Sequence, residues 1–504
     1  MADFGGWIKL NDKHYVIDIT SYKTQDLVDF SPRGSVAGQS IIQSELGLYQ
    51  VMLQSDWRHG FGFQFYEDAL GYLQTDGQVD TRHPNIAMLM TGPTSTDEVA
   101  ATKEGFTVFD STTYSWGSTG TSISGVRVYS TDAWANILGS DDATVIGIVN
   151  YALPTSAYLF LAVDGAQILA VSTVSDTTDS VGLNANSTDY KWLIIHNGNI
   201  YAGKDASNIV YYDSNTTLSQ LAGDPADDTN EITVGQGAYP TLGAISFMGR
   251  LFVFRQDGMW EIGEDNIARN VLDYKNDSST NNFRSWANLN SQIIYPIRDK
   301  LYSWNGVRVV EITPPALTDT FPYTTYGRFD NFVVTGSRLY MTARTNETTY
   351  EEHIICYDGV GWHKMTEPLL TGAGSVTGMG YDAFNERMWY HVSDTENVTW
   401  YLPFPALSDY PDTGFPTSGT HSLISSRLDM GFRRVKKSTP SILVGASNLT
   451  SARYLRLYYQ LDEGSTWTAW GGNDSVSNLV DSDGMTELFN PLDASYTNTI
   501  EYNH

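Results

Sequence analysis

The chain has 504 residues, 41% of them hydrophobic and only 17% charged, and its 58 acidic against 30 basic side chains give a formal net charge of −28. That length exceeds one compact core and calls for two or three domains or a radially repeated one, while the acidity repels nucleic acid and anionic membrane, so neither is an expected partner. Abundant Tyr (31), Phe (20), Trp (13) and Gly (44), with no long apolar stripe of period 3.6, predict an all-β protein of pleated strands and tight turns.

The N-terminus, Met1-Ala-Asp-Phe-Gly-Gly-Trp, lacks a basic stretch followed by an apolar one, so no secretion signal is expected. No stretch is apolar enough for membrane insertion. Residues 1–100 read as an irregular strand-and-loop segment. Asp29-Phe-Ser-Pro-Arg-Gly-Ser breaks the strand pattern, and Trp57-Arg-His-Gly-Phe-Gly-Phe-Gln-Phe-Tyr is aromatic and punctuated by glycine. Two readings stay open. The segment is an arm that meets a partner through Phe30, Pro32, Arg33, Trp57 and His59, or it supplies first-blade strands and closes a ring.

Residues 101–405 repeat. Trp192-Leu-Ile-Ile-His, Asn197-Gly-Asn and Ile200-Tyr-Ala-Gly read as strand, tight turn and strand, with Ile209-Val-Tyr-Tyr as a third strand. The layout recurs from Ile245, Ile293, Phe332 and Gly378, with an upstream candidate at Tyr158-Leu-Phe-Leu-Ala-Val. Ile200, Leu251, Leu301, Leu339 and Met388 fall roughly 40–50 residues apart, the period of propeller blades. A lone meander cannot bury both its faces, so blades stack around an axis. The prediction is a β-propeller of about five to seven blades, preferred over a large β-sandwich.

A linker is expected over 406–420, where Pro and Gly accumulate. Residues 421–504 then predict a β-sandwich-like domain. There Tyr454-Leu-Arg-Leu-Tyr-Tyr-Gln-Leu alternates, turns at Asp462-Glu-Gly and resumes at Trp467-Thr-Ala-Trp. Nothing at Tyr502-Asn-His marks a finish, as in a processed or shortened chain.

Phosphate loops, the dinucleotide-binding glycine fingerprint, HExxH and Gly-x-Ser-x-Gly do not occur. The nine His are scattered, with His59 and His363 read as structural. Cys356, in an apolar run, reads as a buried, inert thiol. No catalytic residue and no cofactor is expected. The turns at Asp224-Pro-Ala-Asp-Asp and Asp481-Ser-Asp-Gly admit Ca²⁺ by charge but lack the ligand spacing of a calcium loop. Asp462, Gly464, Thr466 and Trp467 are similar to the Asp-box of sialidases, a structural turn in which the Asp caps and the Trp packs beneath. Gln460 replaces its leading Ser. Arg250, Arg298, Arg338 and Arg387 recur at blade turns, mostly facing solvent by pattern. A sialidase or other glycosidase, with paired carboxylates in a central funnel, is the runner-up function. Trp116, Trp134 and Trp400 are candidate sugar-stacking residues, although a strand aromatic is more often core.

Asp29-Phe-Ser-Pro-Arg and Ser55-Asp-Trp-Arg-His-Gly-Phe-Gly, with the segment from Lys436-Lys to Asp462-Glu-Gly-Ser-Thr-Trp, resemble virion structural proteins of tailed bacteriophages. The resemblance rests on arrangement and carries over no catalytic residue. It implies a tail-associated structural protein, in multiple copies or as a homo-oligomer, with other virion proteins as partners and a host glycan as a further one. Its location would be the virion, assembled in a bacterial cytoplasm.

Overall fold

The computed structural model describes most of residues 57–404, together with 6–10, 13–17, 41–43, 50–52, 422–425, 441–446, 449, 454–459, 466–470 and 479–489. Two compact units emerge, one of residues 35–42 and 49–427, the other of 1–34, 43–48 and 428–504. No helix among the described residues is long and apolar enough to cross a membrane.

The larger unit is a β-propeller. Blade 1 is Lys103–Phe109, Thr112–Gly117, Val126–Ser130 and Ala133–Asn136. Blade 2 runs from Val145–Ala152 to Thr178–Val181, blade 3 from Tyr190–His196 to Glu231–Thr233, and blade 4 from Thr241–Phe247 to Ala268–Asp273. Blade 5 is Ala287–Leu289, Gln292–Ile297, Lys300–Trp304 and Val309–Glu311. Blade 6 is Tyr326–Thr335, Arg338–Thr345, Glu351–Tyr357 and Trp362–Lys364, and blade 7 contains Ser375–Asp382, Arg387–Ser393 and Val398–Pro403. Each is an antiparallel meander. First strands pack on one another between blades 7 and 1, 2 and 3, 3 and 4, 5 and 6, and 6 and 7, which makes them the inner strands around the axis.

An apolar cluster fills each gap between neighbours. Phe109, Tyr114, Leu159 and Leu161 join blades 1 and 2, while Phe252, Phe254, Ile293 and Tyr295 join blades 4 and 5. Phe106 and Trp134 of blade 1 meet Trp389 of blade 7. The ring therefore closes, and every inner blade face is covered.

The N-terminal segment completes the last two blades. Thr94–Glu98 pairs antiparallel with Val398–Pro403 as the fourth strand of blade 7. Gly60–Phe61 runs parallel beside Trp362 on blade 6, and Tyr72–Thr75 and Leu423–Ser425 extend that sheet outward. Between them lies a buried latch. Arg82 donates from Nε and Nη2 to Asp80 at 2.8 and 2.7 Å, and from Nη1 to the Tyr340 hydroxyl. Its guanidinium also lies over the rings of Tyr340 and Phe404.

The repeat was legible with one slip. Ile200, Leu251, Leu339 and Met388 all lie in second strands, but Leu301 lies in the third strand of its blade. In blade 5 the short strand Ala287–Leu289 precedes the hairpin from Ile293, which is therefore formed by strands two and three. Pro296 lies beyond the end of that short strand, where its missing N–H breaks no ladder bond, and its carbonyl accepts from the Phe283 amide at 2.9 Å.

Inner strands carry a shared bulge. Register shifts fall at Lys103/Gly105, Val145/Gly147, Tyr190/Trp192, Thr241/Gly243, Tyr326/Arg328 and Val376/Gly378. The skipped residue leaves the ladder and the strand bends. At Gly378 the backbone of blade 7 comes so close to blade 1 that a Cβ would sit 2.4 Å from the Glu104 carbonyl carbon.

The smaller unit contains the hairpin Gly6–Leu10 with Lys13–Ile17 and the pairing of Ser441–Ala446 with Gly484–Phe489. Its core gathers Trp470, Val480 and Leu488. Trp470 Nε1 donates to the Leu488 carbonyl at 3.1 Å. The Asp-box reading is corrected here. Asp462 and Gly464 lie outside the described residues, and Trp467 is 45% exposed rather than packed beneath its turn. Trp470 fills the buried place, three residues along the chain.

Gly378→Ala is expected to lower unfolding free energy by about 1–3 kcal/mol, the usual cost of overpacking. Gly237→Ala, where a Cβ meets nothing within 4 Å, should change it little. Urea unfolding followed by Trp fluorescence checks both.

Candidate functional site

The inner-strand bulges build a cavity of about 340 Å³ at the end of the propeller where inner strands begin. Blade 1 contributes Thr102, Glu104 and Trp116, blade 7 contributes Ser375, Val376 and Thr377, and blade 6 contributes Arg328, Asp330 and Asn331. Arg284 arrives from the connection between blades 4 and 5. Glu104 and Thr377 are the residues skipped by the register on neighbouring strands, so one irregularity brings both to the same wall.

The charged groups form a built arrangement. Arg284 Nε donates to Asp330 Oδ1 at 2.7 Å and Arg328 Nε donates to Asp330 Oδ2 at 2.6 Å. The Asp330 side chain is 13% exposed and those of Arg284 and Arg328 are 35% and 29%. A second bulge between Asp330 and Val333 turns the strand here. Asn331 donates to Thr342 Oγ1 and to the Val376 carbonyl at 3.1 and 2.9 Å, tying blade 6 to blade 7. Ser285 Oγ accepts from the Phe332 amide at 2.9 Å, which fixes the Arg284 segment. Behind this wall the buried Glu352 carboxylate accepts from Arg344 at 2.9 Å, and burial raises its pKa. The arrangement can grip an anionic or hydroxyl-rich molecule.

Beneath Glu104, Lys103 is buried at the junction of blades 7 and 1. Desolvation, with help from Arg127, lowers its pKa to about 8. His391, also buried, hydrogen-bonds Thr399 Oγ1 at 3.1 Å. Burial, reinforced by Lys103, lowers its pKa to about 4.

The opposite end has another character. Met248 and Phe384 stand on turns between first and second strands, and Ile267, Val307 and Val360 on turns between third and fourth strands. Strand alternation puts all five turns at one end of blades 4–7. They are 63%, 68%, 54%, 93% and 62% exposed, respectively.

The sequence-predicted residues scatter. Phe30, Pro32, Arg33 and the Asp224 turn lie outside the described residues. Trp57 and His59 are half-buried, and the Trp57 carbonyl accepts from the Gly60 amide at 2.8 Å in the turn that lays Phe61 on blade 6. Cys356 is buried and its thiol pushed up to about 11 by desolvation, as expected of an inert thiol. His363 is buried, bonded to Thr81 and Asp358. Asp483 of the Asp481 turn accepts the Leu449 amide at 2.7 Å, a structural use. Of the turn arginines, Arg250 and Arg298 face solvent in ion pairs. Arg387 does not: it packs over Tyr401 at 4.3 Å, and over Tyr129 and Trp389, in the closing aromatic cluster. None of the four lines the cavity. Trp134 is core and Trp116 lines the cavity. Sequence reading missed Arg284, Arg328 and Asp330. The glycine that closes the bulge in blades 1, 2, 4 and 7 (Gly105, Gly147, Gly243 and Gly378) was the available signal.

The folded protein resists a proton on His391 that the unfolded chain accepts near its ordinary 6.5. Stability is thus complete above that pH and falls as pH drops towards 4, by about 3 kcal/mol for this group alone. His391→Gln should flatten that part of the stability profile in urea titrations run between pH 7 and 4.

No family profile and no curated protein matches the sequence. Among solved structures, the chain is similar to the β-propeller domain of Cps50 (Swd1) from Myceliophteria thermophila. Identity is 7% and the TM-score 0.43, over 62% of this chain and 99% of that one. It is also similar to the computationally designed Ika8 protein, at 9% identity and a TM-score of 0.39, over 62% and 99%. A third likeness is to the extracellular domain of a putative hybrid two-component system from B. thetaiotaomicron. Identity there is 11% and the TM-score 0.43, over 62% of this chain and only 39% of that one. The propeller fold by itself assigns no enzymatic activity.

Proposed function

We propose that the chain is a non-catalytic structural component of a tailed-bacteriophage particle, present in several copies, whose propeller is a rigid platform for neighbouring virion proteins. The observation that carries the reading is the apolar-tipped end of blades 4–7. Met248, Ile267, Val307, Val360 and Phe384 are held out on short turns of a closed ring. Exposed apolar side chains gathered at one end of a rigid body suit a protein contact, since each removes apolar surface from water on docking. The sequence arrangement at Asp29-Phe-Ser-Pro-Arg and Ser55-Asp-Trp-Arg-His-Gly-Phe-Gly supplies the particle, because it resembles virion structural proteins. The acidic balance, −28 overall, suits a protein that stays soluble at high copy number before assembly.

Negative-stain imaging of particles decorated with antibody against this chain should show label at a regular position on the tail. Particles without label would overturn the reading. In a particle assembled with the double variant Val307→Asp and Phe384→Asp, incorporation should fall several-fold while the purified chain keeps its melting profile. Undiminished incorporation would remove the apolar end from the interface.

A further inference from the structure

We infer that the cavity at the inner-strand ends binds a carboxylated sugar, with Arg284 and Arg328 gripping its carboxylate. The inference concerns this cavity alone and holds whether or not the chain sits in a particle. Each arginine spends only its Nε on Asp330. Among the described residues, the terminal guanidinium nitrogens of both have no acceptor. Asp330 thus acts as a positioning residue: it holds two guanidinium groups side by side that would otherwise repel, and leaves their outer edges to a ligand. A planar carboxylate matches that fork.

The remaining lining selects among anions. Glu104 stands in the same cavity. It penalises a compact, highly charged anion such as phosphate, but accepts hydrogen bonds from sugar hydroxyls. Thr102 and Ser375 add hydroxyl groups, Thr377 and Asn331, whose protons go to protein acceptors, add oxygen acceptors, and Trp116 supplies an aromatic surface of the kind that takes the C–H groups of a pyranose. A volume of about 340 Å³ accommodates one or two sugar rings. Arg–carboxylate pairing, hydroxyl acceptors and an indole in one polar cavity describe a hexuronate better than a phosphate or a neutral hexose.

The test is calorimetric titration of the full-length chain with sodium glucuronate, with its methyl ester, glucose and inorganic phosphate as comparators. Glucuronate is expected to bind saturably. The ester and glucose should bind about tenfold or more weaker, the loss expected when a charge-assisted hydrogen bond is removed. Arg328→Ala and Arg284→Ala should each weaken glucuronate by a similar factor. Arg284 bridges two blades, so Arg328→Lys, which keeps the charge and loses the fork, serves as the milder variant and should also bind weaker. Trigalacturonate separates two sources of the same chemistry. Tighter binding of the trimer assigns a residue within a glycan chain, equal binding assigns the free acid, and both outcomes uphold the site. Absence of saturable glucuronate binding, equal binding of the methyl ester, phosphate binding as tightly as glucuronate, or affinity unchanged in the arginine variants would overturn it.

Discussion

Everything in the larger unit depends on closing a ring of sheets, because a blade has two apolar faces and no layer of its own to cover them. Each blade is stable only between two neighbours, so the first and last blades must meet or both expose a core. The junction of blades 7 and 1 meets that demand with large groups. Phe106, Trp134 and Trp389 pack within about 6 Å of one another, and Arg387 lies over the same rings. Aromatic pairs of this kind add to the area they bury. The fourth strand of blade 7 comes from residues 94–98, so strands separated by some three hundred residues of chain share one ladder. Opening the ring costs that ladder and that cluster together.

Close approach is the price of the ring, and it determines where the cavity lies. Inner strands crowd the axis, and their bulges bend them to fit. A bulge also releases one side chain from the in-and-out alternation of the strand. Where two such releases are adjacent, at Glu104 and Thr377, polar side chains gather in a space that the core does not claim. Arg328 and Asp330 lie two residues apart between the two bulges of the blade 6 strand and reach the same space. The candidate site is a by-product of packing geometry rather than of a local motif.

Two buried ion pairs among the described residues belong to the same economy of rigidity. Arg82 with Asp80 joins the N-terminal segment to blade 6, and Arg255 with Asp257 reaches back from blade 4 to the carbonyls of Val234 and Gln236. Such pairs add little net stability compared with apolar packing, but removing one partner leaves a buried charge. They hold segments in one register. The two ends of the ring they brace differ, one polar and concave, the other tipped with exposed apolar turns.

The all-β class, the repeat and the propeller were legible in the sequence because hairpin chemistry is local. Asn197-Gly198 makes its turn whatever surrounds it, and alternating apolar residues such as Phe252 and Phe254 declare a strand. The blind spots were non-local. One repeat was displaced by a strand because the three-residue strand Ala287–Leu289 is too short to announce itself in sequence. Trp467 and Trp470 look alike in sequence, and only the sheet decides which is buried. Arg284, Arg328 and Asp330 carry no recognisable spacing, since Arg284 reaches Asp330 across a blade boundary. The sequence by itself determined which segments become strands and that they repeat. Tertiary structure alone decided which strands lie at the axis, how the ring is closed and which charges meet there. Those outcomes depend on distances between segments far apart in the chain, which no local pattern encodes.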